Sequence, residues 1–218
     1  MSFFVSELAS AQISNDPAML IKNRGVFGYI TTFAPDPEIE GSYFYGEESF
    51  PITLYLAPTK DPFKVAAGNI NLLDFSVLMD FEGSQYAVQS LFVDSLFAKG
   101  KWMVNARHVR GMEENKMMYF ILHRGQRFNL LKEERMDLLA PTYVEALQVG
   151  NRNYTVQRKI RYYLINKNGD QYDVTKNIGD FKKEGNFSDL KRFYKGQALD
   201  FKEESDLLRF AKYADSLL

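Results

Sequence analysis

The sequence predicts an α+β protein that is mainly antiparallel β (an open sheet, a sandwich or a partly open barrel) closed by two short C-terminal α-helices. Three observations predict it. Aromatic residues make up 15% of the chain, and Phe and Tyr suit pleated, half-buried surfaces. Up to about residue 175, runs of β-branched and aromatic residues are punctuated by Gly and Pro turns. Beyond that point the apolar period lengthens from the strand value to the helical one.

Val26 to Phe33 reads as the first strand and is stopped by Pro35 and Pro37. Phe50 to Leu56 follows, with Ile52, Leu54 and Leu56 on one face and Thr53 and Tyr55 on the other, before Pro58. Asn71 to Phe81 reads as one long apolar strand that turns at Gly83-Ser84 into Gln85 to Val88. Met117 to Leu122 and Arg127 to Leu131 form a hairpin about Arg124-Gly125. Arg161 to Ile165 and Gln171 to Val174 form another about Asn168-Gly169, a dipeptide that tolerates the positive φ of a type I′ turn.

In the tail, Phe187, Leu190, Phe193 and Tyr194 share a helical face that ends at Gly196. Asp200-Phe201-Lys202-Glu203 has the form of a capping box, and Leu207, Phe210, Ala211, Ala214 and Leu217 line one face after it. At the other end, Ala9-Ser10-Ala11 has the small-x-small form of a signal-peptidase site with Gln12 as the new first residue. Glu7 and the missing basic segment oppose it unless the true start lies upstream. The expected organisation is residues 1–11 as a remnant of an export signal, 12–178 as the β body, and 179–218 as a helical cap packed on the same domain. Location then follows the leader: periplasm or cell envelope if residues 1–11 are a signal remnant, cytoplasm if not.

The C-terminal half carries a Tyr162-Tyr163-Leu164 strand, a Gly turn, Tyr172-Asp173-Val174, Phe181-Lys182-Lys183 and Leu199-Asp200-Phe201-Lys202-Glu203-Glu204. With Glu40-Gly41-Ser42-Tyr43 and Asn69-Ile70-Asn71-Leu72 upstream, this resembles a loose group of uncharacterised exported bacterial proteins with a β-rich body and two closing helices. The chain lacks a Pro and an Arg of that group's pattern. The resemblance implies an envelope or periplasmic setting, no assigned activity and no catalytic residues.

Charge and composition narrow the chemistry. A formal net charge of −1 supplies no global pull toward nucleic acid or anionic membranes. The longest apolar run, Met117 to Leu122, is far too short for a membrane-spanning helix. Without cysteine there is no disulfide, zinc–thiolate site or thiol nucleophile. The histidines, His108 and His123, fall in no metal-ligand spacing, so neither metal nor other cofactor is expected. Carboxylate pairs such as Asp74 with Asp80, or Glu133 and Glu134 with Asp137, could run a hydrolase, but acids bracketing strands commonly guard edges. The basic-aromatic cluster Arg152, Tyr154, Arg158, Arg161 and Tyr163 is the candidate partner-binding set. Its partners would be an anionic glycan, an envelope lipid headgroup or another envelope protein, since neutral charge argues against nucleic acid. The expected function is an exported, non-enzymatic binding or structural module, with a carboxylate hydrolase as the alternative.

Overall fold

A computed structural model of the chain describes residues 30–57, 62–113, 117–175, 178–183 and 187–217. The predicted class holds: a mostly antiparallel, open β-sheet with two C-terminal helices. The proposed signal remnant and Val26 to Tyr29 lie outside the described residues.

Strands β1 (Ile30–Thr32), β3 (Phe50–Leu56), β4 (Phe63–Ile70), β5 (Val77–Phe81) and β6 (Ser84–Val88) build one end of the sheet. Strands β7 (Val93–Ala98), β8 (Lys101–Asn105), β9 (Met118–Arg124), β10 (Phe128–Leu139), β11 (Tyr154–Asn166) and β12 (Gln171–Asp173) build the other. The spatial order is β1-β6-β5-β4-β3-β7-β8-β9-β10-β11-β12, and the short strand β2 (Ile39–Glu40) pairs in parallel with the start of β11. Consecutive strands pair antiparallel within β3–β6 and within β7–β12, and the two runs join through the non-consecutive pairing of β3 with β7.

The predicted strand from Asn71 to Phe81 is broken. Residues 71–76 form a turn in which Phe75 takes φ 59° and its N–H donates to Asn71 O at 2.7 Å. Asp74 is spent there, accepting from the Ser76 N–H (2.9 Å) and hydroxyl (2.7 Å). Local side-chain bonding of Asn and Asp outcompetes the ladder, which the apolar run concealed.

The expected hairpin after Phe81 forms, with its turn at Glu82-Gly83, and another tight hairpin stands at Lys99-Gly100. Glu82-Gly83 and Lys99-Gly100 have positive φ at both positions, as a two-residue type I′ loop requires. At Asn168-Gly169 positive φ is confined to Gly169, so the turn is not type I′. The Asn166 carboxamide accepts from the Asn168 and Asp170 N–H groups, both at 2.9 Å, and organises a longer loop instead.

The sheet has a helix face and an open face. On the helix face Ile52, Leu54, Val77, Met103 and Phe120 form one core. Phe128, Leu130, Tyr162 and Leu164 form a second with α1 (Phe187–Gly196) and α2 (Glu204–Ser216). Both helices appear where the period changes, but their ends differ from expectation. After α1 it is Ala198, not Gly196, that takes positive φ (47°), and the Leu199 N–H reaches back to Tyr194 O at 3.2 Å. Asp200 accepts from the Lys202 N–H (3.0 Å) in a preceding turn, so the capping box does not form and Glu203 is the N-cap of α2.

A charge network lies on the helix face of the sheet. Lys132 Nζ lies 2.8 Å from Glu134 Oε2 and 2.6 Å from Glu204 Oε1, with only 9% of the lysine side chain and 1% of the Glu134 side chain exposed. At the far end of α2, Asp215 accepts from the Gln126, Arg127 and Phe128 N–H groups in the β9–β10 turn. Burial pushes the Asp215 carboxyl up, but these bonds and nearby His123 outweigh it and hold its pKa below the usual aspartate value. A Cβ on Gly125 would stand 2.4 Å from Asp215 Oδ1, so the turn needs glycine to accept the helix. Among the described residues no helix is long and apolar enough to cross a membrane.

Candidate functional site

On the open face, residues of β8, β9, β10 and β11 leave a cleft of about 310 Å³. Strand alternation explains its floor: Val104, Ile121, Leu131 and Ile165 point to this side, and Val109 joins them from the loop after β8. Leu131 and Ile165 also belong to a small core with Ala106, Met112 and Tyr119, which makes the floor rigid.

Its rim is cationic. Arg124 ends β9, Lys167 begins the β11–β12 turn, and Arg110 and His108 come from the loop after β8. Each is exposed. The backbone holds these loops together: Arg110 Nη1 donates to Lys167 O at 2.7 Å, and a Cβ on Gly111 would stand 2.1 Å from Gly169 O. Two glycines at positive φ (85° and 93°) thus let the loops close one end of the cleft. Arg124 is positioned by the Gly125 turn that Asp215 clamps.

His108 is anchored rather than free. Its Nε2 lies 2.7 Å from Asp94 Oδ1, which Arg107 Nη2 also approaches at 2.5 Å. Burial pushes the Asp94 carboxyl up, yet these two partners outweigh it and leave its pKa lowered. By contrast the side chains of Arg124 and Lys167 have no ion-pair partner among the described residues. The lining side chains are cationic, amide or aliphatic, with His108 the single imidazole; none is a hydroxyl, thiol or carboxylate. Such a lining can hold an anion with an apolar body.

Beside the floor, Trp102 stands opposite Ile121 in the ladder. It packs with Tyr55 (5.5 Å between ring centroids) and Phe97 (5.3 Å), leaving Trp102 40% and Phe97 37% exposed. Most described aromatics are buried or packed against a core, yet these rings make a partly exposed patch on the same face as the cleft.

The residues singled out from the sequence do not form one surface. Arg152 stacks on Tyr143 (4.3 Å) and donates to its hydroxyl at 2.8 Å, beyond the start of β11. Tyr154 is exposed at that start. Arg158 lies on the helix face and pairs with the buried Glu134. Arg161 and Tyr163 share the open face as alternation requires, and the Tyr163 hydroxyl donates to Glu133 Oε2 at 2.8 Å. Part of the cluster is therefore structural. The candidate hydrolase acids are likewise engaged: Asp80 accepts from the Ser49 hydroxyl, and Asp137 meets Arg135 and Lys159.

Sequence reading missed the cleft because Arg110, Arg124 and Lys167 are far apart in the chain and each looks like an ordinary turn residue. The available signal was that each lies at a strand or loop end bearing a basic residue. No protein-family model, curated protein or solved structure matches the chain.

Proposed function

We propose that this protein is a non-enzymatic binding module whose cleft takes a small amphipathic anion: a carboxylate or phosphate carrying a short apolar group. The observation that carries the reading is the pairing of two cations, Arg124 and Lys167, that have no ion-pair partner among the described residues, with a rigid aliphatic floor in a cleft that no described acid lines. The anionic group would sit at the rim, where guanidinium grips carboxylate or phosphate oxygens, and the apolar part would cover the floor. A cleft of about 310 Å³ stands at the low end of small-molecule sites, which suits a compact ligand. Of the partners expected from the sequence, an envelope lipid headgroup shares this chemistry.

The test uses hexanoate and hexyl phosphate against hexanol, with calorimetry and thermal shift on the full chain. The anions are expected to bind saturably and the alcohol not. Arg124→Glu combined with Lys167→Glu should weaken anion binding by about tenfold or more while the ligand-free melting temperature stays nearly unchanged, since both residues are exposed. Unchanged affinity in that variant, or equal binding of hexanol, would sink the reading.

The same reading places the protein in the periplasm or cell envelope, on the strength of Ala9-Ser10-Ala11 and the resemblance of the C-terminal half. Expressed with its genuine upstream sequence in a Gram-negative host, the mature chain is expected to begin at Gln12 in the envelope fraction. Mass spectrometry of both fractions decides this, and an intact N-terminus confined to the cytosol refutes it.

A further inference from the structure

Strand β11 is thirteen residues long, and its two neighbours on the outer side cover only its ends. Strand β2 pairs with Tyr154 and Thr155, and β12 with Tyr163, Leu164 and Ile165. Between them the other side of β11 is fully laddered to β10 without a register shift. The Tyr154 N–H donates outward to Glu38 O (3.0 Å), and Tyr162 O accepts from Val174 N (2.9 Å). Alternation along an antiparallel strand therefore turns the backbone groups of Arg158 and Ile160 outward as well. Neither residue's outward N–H or C=O has a partner among the described residues. Gly41 (φ 97°) bends the chain away just after β2, and a Cβ there would touch Val156 at 2.9 Å, so β2 does not continue along this edge.

We infer that this gap is a strand-addition site for an extended peptide bearing acidic residues. The occupant follows from the backbone and the charge together. An added strand would satisfy the four open groups of Arg158 and Ile160 through main-chain bonds. Gln157, Lys159 and Arg161 project to the open face and Arg158 to the helix face, so the ionisable side chains of the gap are all cations. Asp137 and Glu134 already meet Lys159 and Arg158; Arg161 stands opposite Glu133 and beside the Tyr163 hydroxyl, and no salt bridge among the described residues engages it. A second copy pairing edge to edge would set these cations against themselves, which like-charge repulsion disfavours. An acidic strand meets no such penalty, and the uncovered stretch accepts about six residues, roughly 20 Å at strand rise.

The probe is a six-residue peptide alternating Glu and Val, capped at both ends, titrated into the full chain by fluorescence anisotropy. Three comparisons accompany it: the same peptide with Lys for Glu, a version N-methylated on alternate amides, and the Ile160→Pro protein. Proline there removes an outward N–H while leaving the ladder to β10 intact. Binding of the acidic peptide below about 1 mM is expected, with a loss of about tenfold or more in each comparison. Binding indifferent to both N-methylation and Ile160→Pro would show attraction by charge alone and overturn the proposal. No binding at about 1 mM overturns it too. Self-association in sedimentation that Ile160→Pro abolishes would make a second copy the occupant and also overturn it. The N-methylated peptide keeps the test decisive if the proline variant does not fold.

Discussion

Replacing Lys132 with alanine is expected to cost about 3–5 kcal/mol in chemical denaturation, the range for breaking a buried ion pair from one side. The variant strands Glu134, whose side chain is 1% exposed, with Arg158 as its remaining cation, and it removes the 2.6 Å bond to Glu204. The whole network need not be stabilising for this to hold. Lys132→Met with Glu134→Leu should lose less than Lys132→Ala alone, because no buried carboxylate is then left short of a partner. A loss below about 1 kcal/mol for Lys132→Ala would mean that water reaches the site.

The same network sets a pH dependence. Burial pushes the Lys132 ammonium down, but Glu134 and Glu204 outweigh it and hold its pKa above the ordinary 10.5. Burial pushes the Glu204 carboxyl up, but Lys132 first, then Lys101 and Tyr162, outweigh it and hold its pKa below the ordinary 4.5. The Lys132 contribution is therefore complete below pH 10.5 and is lost as pH rises through its folded value. The Glu204 contribution is complete above pH 4.5 and is lost as pH falls through its folded value. Glu204→Gln should flatten the acid limb selectively; an unaltered limb would assign it to other groups, of which Asp215 and Asp94 are depressed in the same direction.

Phe210→Ala is expected to cost about 3–5 kcal/mol as well, here by lost transfer energy plus a cavity. The ring is fully buried and makes edge contacts with Phe201 (5.1 Å between centroids) and Phe181 (5.8 Å), so three separate segments converge on it. Helix α2 keeps its clamp at Asp215, so the neighbours cannot simply collapse into the space. Because the cleft lies on the opposite face, anion affinity measured well below the melting temperature should hardly change. A loss under about 1 kcal/mol would show that α2 does not dock on the sheet.

How much of this was legible in the chain follows from which interactions are local. Phe50 to Leu56 alternates buried and less buried residues just as its composition dictates, and α1 and α2 appear at the change of period. Strand and helix faces are local properties, so they could be read. The break at Asn71–Ser76 and the non-I′ loop at Asn168-Gly169 could not, because Asn and Asp side chains there capture backbone groups that pattern assigns to ladders.

By itself, the sequence determined the α+β class, the two-sided strands and the pair of closing amphipathic helices, since these depend on residue periodicity alone. Tertiary structure decided everything about the sites. It set Arg110, Arg124 and Lys167 around one cleft, spent Arg158 on Glu134, and left the outward backbone of Arg158 and Ile160 without a partner among the described residues. Each outcome depends on strand order and register, which are long-range pairings that no local pattern specifies.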